Sequence, residues 1–143
     1  MDPDAIEAVV QHLQPGPYGW WCELPRPERF FGQPVELRVD TRPFPDDEPP
    51  PPPASEELDL VRLILSGLPS VLAECERQYR EYNAEFPELL DKVHEPHIWV
   101  SREWLGESQS GDWSFVVGIS DAPDWGIHTE FRGLEFQRIW SGD

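Results

Sequence analysis

Apolar residues recur through the middle of the chain at helical spacing. Leu58, Val61, Leu65, Leu68, Leu72, Cys75, Tyr79, Tyr82 and Phe86 follow one another at steps that alternate between three and four, and Leu60, Ile64 and Val71 widen the stripe at its N-terminal end. The pattern predicts a long helix with one buried face. Ser55 is placed to cap it, with Glu56 and Glu57 in the first turn, where acids complement the helix dipole. Pro69 interrupts the pattern, because proline lacks a main-chain donor and its ring crowds the preceding turn. The apolar phase nevertheless continues across Ser66-Gly67-Leu68-Pro69, so one kinked helix is preferred to two separate ones. A stripe this broad fits a helix lying across a sheet better than the narrow seam of a two-stranded coiled coil.

Elsewhere the period is two. Tyr18 to Leu24 and Val35 to Thr41 read as strands, the second with Val35, Leu37 and Val39 on one face and Glu36, Arg38 and Asp40 on the other. From His97 onward, Ile98 and Val100 alternate with Trp99 and Ser101. Trp113, Phe115, Val117 and Ile119 then alternate with Ser114, Val116 and Gly118. Asp121 to Asp124 reads as a turn, and Ile127 to Phe131 folds back at Arg132-Gly133 onto Leu134 to Trp140. Near the N-terminus, Asp2 caps a short helix that begins with Pro3, buries Ile6, Val9, Val10 and Leu13 on one face, and stops at Gln14-Pro15-Gly16-Pro17. The resulting expectation is an α+β domain with an antiparallel sheet of about five to six strands. One face is covered by the long kinked helix, and a short N-terminal helix is added.

Residues 43–54 break both periods. Pro43-Phe44-Pro45-Asp46-Asp47-Glu48 runs into five consecutive prolines, a stretch that favours polyproline II and reads as an acidic proline-rich linker or exposed loop. At 143 residues the chain has room for a single domain, residues 1–143, that contains this segment. Charge adds a constraint on partners. The net charge of −17 repels nucleic acid and anionic lipid and attracts basic surfaces, while seven Trp and seven Phe mark a chain built to fold. No apolar run spans a bilayer, and the acidic N-terminus is unlike a secretory signal, so a cytoplasmic location with no membrane partner is expected.

Candidate chemistry is sparse. Cys22 and Cys75 read as reduced packing residues. His94 and His97 are three apart, but Pro96 argues against the helix that a metal-binding pair would need, so no metal site and no cofactor are expected. No nucleophile elbow, P-loop or dinucleotide fingerprint occurs, which counts against an enzyme. The arginines Arg26, Arg29, Arg38 and Arg42 are neutralised by Glu23, Glu28, Glu36 and Asp40, so direct nucleic-acid binding is not expected. His128 and Glu130 share one face of a strand, either as an acid-base or ligand pocket or as a plain solvated face. The tryptophans carry more information. Trp20 and Trp21 are adjacent and point to opposite faces of a strand, Trp99 opposes Ile98 and Val100, Trp104 ends its strand, and Trp125 lies in a turn. So many indoles serve either a partner surface or a second, smaller core.

Gly19-Trp20-Trp21, Trp113-Ser114-Phe115, Asp124-Trp125-Gly126 and Leu134-Glu135-Phe136 lead to a terminal Ile139-Trp140-Ser141-Gly142-Asp143. Over roughly residues 18–143 this arrangement resembles small uncharacterised bacterial α+β families, some of them grouped with immunity proteins of toxin systems. The proline-acid segment departs from that pattern. The resemblance implies no catalytic residue. Together with the charge, it leads to the expectation of an acidic binding protein whose partner is a basic toxin or nuclease. The candidate contacts are Trp20, Trp21, Trp99, Trp104 and Trp125, with Asp46, Asp47, Glu48, Glu56 and Glu57. The alternatives are a small enzyme or ligand-binding domain with a pocket at His128 and Glu130, and a DNA-mimic inhibitor with carboxylates spaced like phosphates.

Overall fold

Asp2 caps the first helix, α1 (Pro3–Gln11), by accepting the Ala5 amide at 2.8 Å, with Pro3 at the first position, where a missing donor costs nothing. The computed structural model describes every residue except 18, 26–27, 42–48, 104–110, 121 and 143, together with the side chains of 123 and 124. The chain is α+β, and its described residues form nine strands: β1 (Gln14–Gly16), β2 (Gly19–Glu23), β3 (Arg29–Phe30), β4 (Gln33–Pro34), β5 (Glu36–Asp40), β6 (Val93–Ser101), β7 (Trp113–Ile119), β8 (Ala122–Arg132) and β9 (Glu135–Gly142). Seven form one sheet in the order β1-β2-β5-β6-β7-β8-β9, and β3 and β4 make a separate hairpin.

Two features of the sheet differ from the sequence expectation. It has seven strands rather than five or six, because Gln14–Gly16, expected only to stop the helix, pairs with β2 across a tight turn. It is also mixed rather than antiparallel, since β5 and β6 run parallel, with Leu37 opposite Ile98 and Val39 opposite Val100. Parallel neighbours need a long crossover, and the whole of residues 41–92 supplies it. The tight turn depends on Gly19, whose φ is +93° and whose Cβ, if present, would lie 2.6 Å from the Val39 carbonyl oxygen. Gly19→Ala is therefore expected to destabilise the fold by about 2 kcal/mol or more, read as a lower urea midpoint at unchanged m-value.

The central apolar stripe is carried by two helices, α2 (Ser55–Ser66) and α3 (Leu68–Tyr82), rather than by one kinked helix. Gly67 ends the first and caps the second, so Pro69 falls in the opening turn of α3, where its missing donor is harmless. A side chain at Gly67 would meet Leu134 Cδ1 at 2.8 Å, so the break also lets the β8–β9 turn pack closely. The apolar phase survives because both helices lie on the same sheet face. Val61, Ile64, Leu65, Leu68, Val71, Cys75 and Tyr79 join Leu37, Val39, Ile98, Val100, Phe115 and Ile127 in one core. The stripe ends earlier than the sequence pattern, with Tyr82 and Phe86 exposed.

The cap of α2 also differs. Ala54 is the N-cap and Ser55 the first helical residue; Glu57 reaches back to accept the Ala54 amide at 2.6 Å. Within the proline-rich segment, residues 43–48 lie outside the described residues, while residues 49–54 are tied to the sheet. Trp20 Nε1, Thr41 Oγ1 and Arg102 Nη2 donate to the carbonyls of Pro50, Pro51 and Pro52 at 3.3, 2.5 and 3.1 Å. Polyproline II leaves its carbonyls free for such contacts.

Candidate functional site

Strand alternation sorts the tryptophans and polar residues. Leu37, Val39, Ile98, Val100, Trp113, Phe115, Ile127 and Phe131 face the helices, so the residues between them point to the other side of the sheet. Cross-strand pairing brings these together in two rows. One runs Trp21, Arg38, Trp99, Ser114, Glu130, Arg138; the other runs Glu36, His97, Val116, His128, Trp140. His128 and Glu130, two apart in sequence, thus become part of a surface assembled from six strands.

At its β9 end this face is tightly knit. Glu130, only 1% exposed, accepts two hydrogen bonds from Arg138, from Nε at 2.9 Å and Nη2 at 3.1 Å, and one from Trp140 Nε1 at 2.7 Å. The Trp140 ring stacks on His128, with centroids 4.1 Å apart and planes 6° from parallel, and the Arg138 guanidinium lies 5.7 Å from the Trp140 ring centre. A carboxylate held by a bidentate arginine and an indole is a structural anchor, poorly placed to take a proton from a substrate.

On this face burial favours the neutral form of His97 and His128. Burial pushes His128 down from its ordinary value, opposed by the Glu130 charge and a hydrogen bond to the Gly142 backbone. His97, across Val116 from it, is pushed down to about 3, chiefly by burial and then by the Arg38 guanidinium. Arg38 is itself buried and paired with Glu36 at 2.9 Å and Glu95 at 3.5 Å. Glu95 sits with φ +47° in the bulge that separates the two pairing registers of β6 with β7. Two buried polar atoms on this face have no hydrogen-bond partner, Ser114 Oγ and His128 Nδ1.

The candidate contact residues fall in several places. Trp20 packs against the core on the helix side and Trp21 points the opposite way, as their adjacency requires. Trp99 is partly buried on the polar face, and Trp125, in β8 rather than a turn, is 42% exposed. Glu56 is exposed, whereas Glu57 is 2% exposed and locked to Arg102, so it belongs to the scaffold rather than to a contact surface. Trp104, Asp46, Asp47 and Glu48 lie outside the described residues. The sequence reading did not single out Arg38, His97, Ser114, Arg138 or Trp140 as a group. The signal for them was the register of six strands, which no single strand's pattern reveals.

His94 and His97 are separated by the bulge, His94 opposite Gly118 and His97 opposite Val116. Among the described residues no three His, Cys, Asp or Glu side chains are grouped to hold a metal ion. Cys22 and Cys75 are both free and buried; burial raises the Cys22 thiol to about 11 and pushes Cys75 up as well. No described helix is long and apolar enough to cross a membrane. Comparison with protein-family models, with curated proteins and with solved structures found no match to this chain.

Proposed function

We propose that the protein is a non-enzymatic acidic binding protein of the immunity type, whose partner is a basic protein such as a toxin or nuclease. The observation that carries this reading is the coexistence of a −17 net charge with partly buried indoles on the polar sheet face, Trp21 and Trp99, and an exposed Trp125. Long-range attraction brings a cationic partner in, and aromatic anchors then hold it. The acids that supply the field stand on the outer surfaces of the helices, among them Asp4, Glu7, Glu56, Asp59, Glu76 and Glu81. The locked state of Glu130 favours binding over catalysis, because three charge-assisted or indole donors stabilise the ionised carboxylate and make it a weaker base.

The test uses the product of the reading frame beside this gene, titrated with the full chain. The reading predicts a basic product, inhibition at one-to-one stoichiometry, and association that slows as salt is raised. Alanine at Trp21 or Trp99 is expected to weaken the complex by about 2 kcal/mol. A neighbour that is not basic and that the chain does not bind would sink the proposal.

A second reading, a small-ligand site at His128 and Glu130, is favoured by the unpartnered Ser114 Oγ and His128 Nδ1, since a buried polar atom without a partner costs about 1–3 kcal/mol. A DNA mimic receives less support: of the candidate carboxylates Asp46, Asp47, Glu48, Glu56 and Glu57, Glu57 is buried and spent on Arg102.

A further inference from the structure

β9 closes one end of the sheet, and among the described residues it pairs only with β8. Its outward backbone amides and carbonyls form a row of donors and acceptors with no strand beside them, the feature that folded proteins usually protect with lysine, proline, a bulge or a covering segment. The first half of β9 has such protection. The register of β8 with β9 shifts between Glu130–Arg138 and Phe131–Phe136, so Gln137 is the extra residue of a bulge. The second half, Arg138-Ile139-Trp140-Ser141-Gly142, contains no lysine, no proline and no bulge, and its one charge is turned back onto Glu130. The opposite edge, β1, is three residues long and contains Pro15.

The charge distribution says what belongs on this edge. In a chain of net charge −17, the hairpin from Ile127 to Gly142 is neutral, with Glu130 and Glu135 balanced by Arg132 and Arg138. A neutral strip offers little to a cationic partner and is where two copies of a strongly acidic chain approach with least repulsion. We infer that β9 pairs antiparallel with β9 of a second copy about a two-fold axis, joining the two seven-stranded sheets into one.

Geometry narrows the register. Directly opposed residues of an antiparallel pair share a face, so Arg138 and Trp140, on the polar face, meet their own kind or each other, and Ile139 and Ser141 do likewise. An axis at Arg138 would set two guanidinium groups opposite one another, which is unfavourable. An axis at Ile139 or Trp140 instead opposes Ile139 to itself and Arg138 to Trp140, or Trp140 to itself. The β1 edge is too short to continue the sheet, so the pairing closes as a dimer rather than a fibre. This inference is independent of the proposed basic partner, and salt acts on the two in opposite directions: screening strengthens contact between two acidic copies and weakens contact with a cation.

Sedimentation of the full chain over a range of concentrations tests it, in about 30 mM and about 500 mM salt, where the screening length differs severalfold. The expected result is a species of twice 16.5 kDa that grows with concentration and with salt. Ser141→Lys puts on this edge the charge that natural edges carry, and it is expected to raise the dissociation constant at least about tenfold while the circular dichroism spectrum stays unchanged. Leu134→Lys, at the exposed β8–β9 turn and off the paired segment, is expected to leave the dimer intact. A monomer under all conditions overturns the inference, as does a dimer that Leu134→Lys dissociates and Ser141→Lys does not. In the dimer, alternate amides along residues 138–142 become protected from hydrogen exchange; a dimer without that protection also overturns it.

Discussion

Arg102→Ala is expected to destabilise the fold by about 3 kcal/mol, because it strands a carboxylate in the interior. Glu57 is 2% exposed and is held by Arg102 through Nε and Nη2, both at 2.8 Å. The same guanidinium reaches the Pro52 carbonyl at 3.1 Å, and the Arg102 amide donates to the Asp40 carbonyl at 2.9 Å. One side chain thus joins the end of β6 to the proline segment and to the first turn of α2. Removing it leaves Glu57 with the Ala54 amide, too little to offset the loss of hydration of an ionised group. Urea denaturation measures the change. The double variant Glu57→Leu with Arg102→Met is expected to recover most of the loss, since replacing both members of a buried pair by apolar side chains is often neutral or better. A loss under about 1 kcal/mol for Arg102→Ala would mean that water reaches Glu57 and that the pair behaves as a surface one.

Acid is expected to weaken the fold well before the carboxylates titrate. His97 faces Arg38 from β5 and His128 from β8, with the Glu36 and Glu95 carboxylates engaged by Arg38. Its imidazole takes up a proton at about 3 instead of its ordinary 6.5, and that of His128 is lowered too. In the unfolded chain both protonate near the ordinary value, so the unfolded state binds more protons as pH falls. The stability tied to these groups is complete above about 6.5 and is lost as pH falls from there toward about 3, at up to about 1.4 kcal/mol per pH unit for His97. Denaturation midpoints between about pH 6.5 and 5, where most carboxylates remain ionised, isolate the effect. His97→Gln is expected to flatten the slope in that window, and an unaltered slope would show that His97 is hydrated enough to protonate in place.

Local signals were legible where one residue does one job. Asp2 and Pro3 specify the start of α1 by satisfying or omitting backbone donors, and the structure follows them. The alternation of Trp113 to Ile119 places β7 to the residue, because period two admits only two faces. The helix break was misread from the same kind of signal. Apolar phase reports which face is buried, and two successive helices on one sheet keep that phase as well as one kinked helix does. What separates them is local geometry that phase does not report: Gly67 ends α2 and caps α3, Pro69 stands in the opening turn of α3, and Leu134, from far along the chain, packs beside Gly67.

The candidate site shows the same division more sharply. Pattern alone established that His128 and Glu130 share a face and that Trp20 and Trp21 do not, and composition that the chain carries a net charge of −17. These follow from strand geometry and charge, which are local or additive. That Arg38, Trp99, Ser114 and Glu130 form one row, that Glu130 is anchored by Arg138 and Trp140, that Glu57 is buried against Arg102, and that β5 and β6 run parallel all depend on pairings between distant segments. A strand's own residues determine which side each faces, but not which strand lies next to it. That choice is made by the whole sheet as it buries its apolar face under α2 and α3, and with it come the neighbours that turn exposed-looking acids into anchors and put β9 at the edge of the sheet among the described residues.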